Sequence, residues 1–348
     1  IKLQASMNNI HTTMNSKFVT FLLSTILFFF PIHLLYVFIK NILYDFKILK
    51  PVKTDAMVIS VGNVALGGTG KTPTTISIAN FLQKRGFSVG IVSRGHGRKN
   101  ESNSFLVKDQ HWSECGDEVV LLKNNLNPKI PVYVSQNKVF ATKQLIDIGC
   151  SVVLLDDGFQ HRKIHRDIDI VLIGPENHIK KNQLVYPYGI LREPFRSIKR
   201  ADITIMTKNN LVDNKPGIVA DHKLNLKIKN EILSTGENQS LQDLLKSTGN
   251  LSVCSIGDPT SFAKTLQDLN INIVRRLDYP DHWPFSSNDV MKINRIVLEG
   301  GLKNIICTEK DYVKLLEFKS MLNVDLNAIV LKHDLSKGLE DDILSRMS

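Results

Sequence analysis

Apolar and polar positions change rhythm along this chain. Blocks of four to seven mostly apolar residues, the pattern of strands buried on both faces, alternate with stretches in which apolar residues recur every three or four positions, the pattern of amphipathic helices. Met57, Val58, Ile59 and Val61 flank Ser60 in the first such block and predict a short buried strand. A glycine-rich turn follows. Ile76, Ile78, Ala79, Phe81 and Leu82 then predict a helix that starts near Lys71. Residues 87–99 read as a second strand closed by a basic glycine turn, with Arg94, Arg98 and Lys99 at the ligand-facing end of an α/β sheet. The runs at 151–157, 168–174 and 201–208 read as further buried strands. Between the last two lies an irregular segment broken by Pro187, Gly189 and Pro194. A polar stretch at 209–220 reads as a linker, and strand and helix patterns alternate again from 221 to 348. The fold class expected is α/β: a P-loop NTPase-like αβα domain at 51–208 and a second, smaller αβα domain at 221–348.

The amino terminus departs from this rhythm. Residues 18–39 are an almost uncharged apolar run of 22, interrupted by Pro31 and His33. As a helix the run would be roughly 33 Å long, enough to cross a bilayer core. Lys40, Lys47, Lys50 and Lys53 follow it against only Asp45 and Asp55, a bias that keeps the next domain on the cytoplasmic side. A membrane-associated helix is therefore expected at 18–50, after a disordered or non-native start at 1–17. A cleaved signal peptide is disfavoured, because no small-residue cleavage site follows the run.

Composition narrows the partners. The chain of 348 residues is 43% hydrophobic, which supports a sizeable core. Its formal charge of +10 points to an anionic partner. Basic strands interleaved with aromatics are missing, which argues against nucleic acid and leaves an anionic membrane surface or a phosphorylated substrate. Cys115, Cys150, Cys254 and Cys307 are scattered without metal-ligand spacing, as in a reducing compartment.

Two stretches carry chemistry of their own. In the first, Gly67, Gly68, Thr69, Gly70, Lys71 and Thr72 join the first strand to its helix. Glycines let backbone N–H groups close around phosphate oxygens, the lysine reaches the β- and γ-phosphates, and the threonine hydroxyl holds Mg²⁺. The first glycine of that motif is replaced by Ala65. In the second, an apolar run delivers Asp156 and Asp157 to a strand end, where a P-loop protein keeps its Mg²⁺ carboxylate. Arg192 and Glu193 could clamp phosphate and metal from the irregular segment. Asp117, at a helix start, reads by itself as a cap, His282 as a structural loop histidine, and 307–314 as a charged loop.

Taken in order, GNVALGGTGKTP, SRGHGRK, GDE, LLDDGFQHRKIHRDIDIVLI, LREP, PDHWPF and TEKDYVK resemble the tetraacyldisaccharide 4'-kinase (lipid A 4'-kinase) family. The resemblance implies transfer of the ATP γ-phosphate to the 4'-hydroxyl of a tetraacylated glucosamine disaccharide 1-phosphate, with Mg²⁺, at the cytoplasmic face of the bacterial inner membrane. No obligate protein partner is inferred. By position it implies Asp117 and His282 as a catalytic pair beside Lys71, and Thr72, Asp157 and Glu193 on the Mg²⁺ side, with Asp156, Gln160 and Arg192 close by. His96, Asn137, Lys138 and the 187–190 segment depart from the family pattern. They are expected nearer the lipid than the phosphates. The alternative is a membrane-tethered P-loop regulatory ATPase acting on a protein partner.

Overall fold

The fold is that of a computed structural model describing residues 34–174, 184–186, 188–208, 219–236 and 240–348. The chain divides into two units, residues 1–51 and 52–348. In the first, residues 34–45 are helical and leave Leu35, Tyr36, Phe38 and Ile39 exposed. Residues 18–33 of the expected membrane run lie outside the described residues. No helix among those described is long and apolar enough to cross a membrane, so the membrane-helix expectation gains no support from the described chain.

The second unit is built on two sheets. The first has eight strands in the order β3-β4-β2-β5-β1-β6-β7-β8. Strands β1 (Met57–Asn63), β2 (Val89–Ser93), β4 (Val132–Val134), β5 (Val152–Asp156), β6 (Ile168–Ile173), β7 (Ile203–Met206) and β8 (His222–Lys223) run parallel, and only β3 (Phe105–Leu106) is antiparallel. Helices cover both faces of such a sheet, which is why its strands read as unbroken apolar runs. β1 lies between β5 and β6, and its register sets Val61 opposite Asp156. The glycine turn that follows Asn63 and the acid pair that ends β5 therefore emerge side by side.

The second sheet has the order β11-β10-β12-β13-β9, comprising β11 (Ile273–Asp278), β10 (Asn250–Cys254), β12 (Asn304–Thr308), β13 (Asp325–His333) and an antiparallel β9 (Leu226–Ser234). Leu251, Val253, Ile305 and Leu326 pack on one face against Ile293 and Val297 of the helix Ser287–Gly300. Cys254, Ile306 and Ile329 pack on the other against Phe262 and Leu266.

The lobes do not separate at residue 221. β8 extends the first sheet beyond that point, and the final helix, Lys337–Met347, returns Leu339 and Ile343 to the core of the first lobe. Residues 209–218 of the expected linker lie outside the described residues. All four cysteines are buried and free.

Candidate active site

The glycine turn presents a helix end suited to phosphate. Gly67 and Gly70 have φ of 105° and 80°, backbone that L side chains rarely adopt. Gly70 is the N-cap of the helix Lys71–Lys84, contributes no side-chain cap, and is followed by no acid in the first turn. The first N–H groups and the helix dipole are thus left for an anion. Thr69 fixes the turn: its hydroxyl accepts from Asn63 Nδ2 at 2.8 Å and its carbonyl from Thr207 Oγ1 at 2.7 Å. The Ala65 substitution is harmless here. Its φ is not positive, it bridges Leu191, and its methyl group is buried with Val64, Phe159 and Val171.

Beside the turn stands the acid pair. Asp157 adopts φ 52°, a strained position for a residue with a Cβ. Its Oδ2 accepts from Arg192 Nη1 at 2.6 Å, while its Oδ1 is enclosed, without a hydrogen-bond donor, 3.9 Å from Lys71 Nζ. Burial opposes ionisation of Asp157, but Lys71 and Arg192 overcome it and hold its pKa well below the usual carboxylate range. Asp156 is buried, and its carboxylate accepts a long bond from Thr75 Oγ1, at 3.3 Å. Burial first, then the charge of Glu118, pushes its pKa up.

A Mg²⁺ ion fits these donors. Thr72 and Asp157 offer hard oxygens at the wall of one cavity, and Asp157 Oδ1 is enclosed with no hydrogen-bond donor among the described residues. Mg²⁺ is typically held by one or two carboxylates plus substrate phosphates; no cluster of three ligating side chains occurs among the described residues. Glu193, also expected on the Mg²⁺ side, follows Arg192 directly in the same loop. Its carboxylate is buried and accepts from Arg200 Nη2 at 2.8 Å and Gln160 Nε2 at 3.0 Å. It braces the loop that aims Arg192.

Across the cavity the second lobe supplies His282. Its Nδ1 lies 3.1 and 3.2 Å from the two carboxylate oxygens of Asp117. Asp117 opens the helix Asp117–Asn125 and is buried; the Gly116 before it has φ 100° and no room for a Cβ, which would meet the His96 carbonyl at 2.8 Å. His282 itself has φ 59°, a second strained residue at the same place. Burial raises the Asp117 pKa, but the His282 hydrogen bond and the charges of Lys310, His282 and Lys314 carry it below normal. Burial lowers that of His282, but Asp117 outweighs it and the net direction is up. Glycine turn, Asp156, Asp157, Arg192 and His282 all line one cavity of about 1000 Å³.

Several residues sit elsewhere than their motifs suggest. His96 is not remote from the chemistry: its ring meets that of His282 edge-on, centroids 4.8 Å apart. Lys138 is buried behind the acid pair, its ammonium held by the Asp156 carbonyl and, at 3.1 Å, by the Asp157 carbonyl, while Asn137 caps its helix. Arg98 turns inward to the carbonyls of Asn103 and Glu101, both at 2.6 Å, whereas Arg94 lines the cavity. Pro187 lies outside the described residues. The structure adds Lys310 and Lys314, 3.9 and 3.5 Å from Asp117, which motif reading left as loop charges. Their helix, Glu309–Leu315, is legible only as a charged segment after a strand; its target lies some 190 residues away in sequence.

The chain matches known proteins over most of its length. A family profile described as Tetraacyldisaccharide-1-P 4'-kinase matches residues 24–348. A protein of Syntrophus aciditrophicus named tetraacyldisaccharide 4'-kinase is 34% identical over 308 residues, 80% of each chain. One of the same name from Halothermothrix orenii is 30% identical and spans 93% of this chain and 91% of its own. Among solved structures, the "apo" form of LpxK from Aquifex aeolicus in complex with ATP superposes with a TM-score of 0.72 at 28% identity, covering 93% of this chain and 99% of that one.

Proposed function

The chain belongs to the tetraacyldisaccharide-1-phosphate 4'-kinase family, and from that premise we propose how its own residues carry out the reaction. The protein transfers the γ-phosphate of ATP to the 4'-hydroxyl of a tetraacylated glucosamine disaccharide 1-phosphate. The observation that carries the mechanism is the Asp117–His282 contact of 3.1 Å at the edge of the cavity that the P-loop also lines. One lobe holds the donor, and the other brings a base to the substrate hydroxyl.

The open N–H groups of Gly70–Thr72 and the Lys71 ammonium bind and orient the phosphates; Arg192, steadied on Asp157, adds a second cation. Phosphoryl transfer is mainly a matter of positioning and charge neutralisation. Thr72, Asp157 and Asp156 would hold Mg²⁺, which would supply further charge neutralisation. His282 accepts the hydroxyl proton, and Asp117 orients the ring and stabilises the imidazolium. The regulatory-ATPase reading leaves the His282 loop and the Arg192 segment without a task.

We also place the reaction at the cytoplasmic face of the bacterial inner membrane. The apolar run 18–39, the lysines after it and the +10 charge support that placement.

Detergent-solubilised enzyme with disaccharide 1-phosphate lipid and Mg·ATP is expected to phosphorylate the lipid. Asp117→Ala and His282→Ala should each lose about a hundredfold or more of that rate, the scale of a lost general base. Full activity in either variant, or no transfer by the unaltered enzyme, would sink this reading.

A further inference from the structure

We propose that Lys310 is a positioning residue: its ammonium holds His282 as the Nδ1–H tautomer and keeps the Nε2 lone pair bare until the substrate hydroxyl arrives. This rests on the reading of Asp117 and His282 given above.

Hydrogen-bond chemistry leaves one arrangement. Lys310 Nζ lies 3.0 Å from His282 Nε2. An ammonium has three donors and no acceptor, so Nε2 must accept. The single proton of the neutral ring is then on Nδ1, where the Asp117 oxygens stand 3.1 and 3.2 Å away and can only accept. Lys310 stays charged in this setting. Burial disfavours its ammonium, but Asp117 at 3.9 Å, Glu118 at 4.0 Å and Asp281 at 3.1 Å together raise its pKa.

The charged neighbours of His282 among the described residues come from three segments. Asp117 and Glu118 come from the helix Asp117–Asn125, and Asp281 from the histidine's own loop; all three favour the imidazolium. His96 packs edge-on from the glycine turn. Lys314 reaches the ring only through Asp117, itself held by Ser255 Oγ at 2.7 Å, Asp311 at 3.1 Å and the Trp283 carbonyl at 3.2 Å. Lys310 is the cation in direct contact with Nε2, and so it opposes premature protonation where the three carboxylates promote it. A protonated Nε2 would set two donors face to face. When the sugar hydroxyl takes the position at Nε2, Lys310 can fall back on Asp281 and Glu118. The hydroxyl O–H bond then breaks as Nε2–H forms, the oxygen bonds to the γ-phosphorus, and the bond from that phosphorus to the bridging oxygen breaks with its electron pair leaving on ADP.

The test is the pH profile of lipid phosphorylation in Lys310→Met and Lys310→Arg, with ATP affinity and melting temperature measured alongside. Activity requires a bare Nε2, so the acid limb marks protonation of His282. Removing the opposing charge should move that limb to higher pH in Lys310→Met, by roughly half a unit or more, while Lys310→Arg stays close to the unaltered enzyme. A limb that does not move in a folded Lys310→Met variant overturns the proposal. Where that variant does not fold, ¹⁵N-histidine NMR of the unaltered protein decides, with His282→Gln used to assign the signal. Above the acid limb the Nδ1–H tautomer is expected, and an Nε2–H ring overturns the proposal. Full phosphorylation by His282→Ala would instead remove the base reading, which the tautomer measurement does not depend on.

Discussion

His333 ends β13 with its ring against Gly70; a Cβ on that glycine would lie 2.5 Å from His333 Cε1. Thr74 Oγ1 donates to the Gly70 carbonyl at 2.9 Å, so at 2.8 Å from His333 Nδ1 it accepts, and the ring proton is on Nδ1. Nε2 is buried without a hydrogen-bond partner among the described residues. Burial, helped by the charge of Lys208, pushes the His333 pKa down to about 4. The unfolded chain, with an imidazole pKa of roughly 6.5, takes up this proton first. Native stability is therefore whole above about pH 6.5 and falls as pH drops towards about 4, by on the order of 3 kcal/mol from this residue. His333→Gln keeps a donor for Thr74 and titrates nowhere in that range. Its melting temperature should fall less between pH 7 and pH 5 than that of the unaltered protein; parallel curves would contradict the assignment. Motif reading could find Lys71, Thr72 and Asp157, because a glycine loop and a strand-end acid carry their chemistry in adjacent residues. It ranked Asp117 and His282 as a cap and a loop histidine until the family resemblance raised them. His333 was not legible, and Lys310 only as one charge in the TEKDYVK segment: each acts on a residue far away in sequence, and only packing brings them together.

At the scale of elements, the site depends on how tightly β1 meets the turn after β5. Gly62 lies under Phe159, where an added Cβ would come within 2.6 Å of its Cβ and 2.8 Å of its backbone nitrogen. Backbone cannot swing aside as a flexible side chain can, so Gly62→Ala must push away the turn that carries Asp157 and Gln160. Overpacking of this kind costs about 1–3 kcal/mol. The same shift takes Asp157 out of reach of Lys71 and Arg192. Phosphorylation should drop by roughly tenfold or more, with a lower melting temperature. Gly338→Ala, in the last helix with open space around it, should leave both unchanged. Equal behaviour of the two variants would show that the close approach at Gly62 is unimportant. The apolar runs made β1, β2, β5, β6 and β7 legible, because a sheet covered on both faces needs no alternation. The lobe boundary was less so. β8 is two residues long, and the final helix belongs to the first lobe through Leu339 and Ile343, a choice of partner that periodicity does not encode.

Over the whole molecule, the reaction as read here needs both lobes together, and one carboxylate joins them at the phosphate loop. Asp258 Oδ1 caps the helix Pro259–Asp268, accepting from Ser261 N at 3.0 Å, while its Oδ2 accepts from Lys208 Nζ of the first lobe at 2.8 Å. Gly257 beside it fits closely against Gly67. Burial raises the Asp258 pKa, but Lys208 and the cap hydrogen bonds bring it below normal, so at neutral pH the pair is ionic. Asp258→Asn separates its two tasks. Asparagine is an equally good N-cap, so the helix should persist and the melting temperature should hardly move. The ion pair is lost, and with it about 1 kcal/mol of attraction between lobes, a partly exposed pair being worth less than a buried one. If bringing His282 onto Asp117 draws on that attraction, kcat for lipid phosphorylation should fall about fivefold. ATP binding should not weaken, because removing a negative charge near Gly68 does not harm a polyanion. A variant that loses ATP affinity but keeps kcat would place Asp258 in the nucleotide site and leave closure to other contacts.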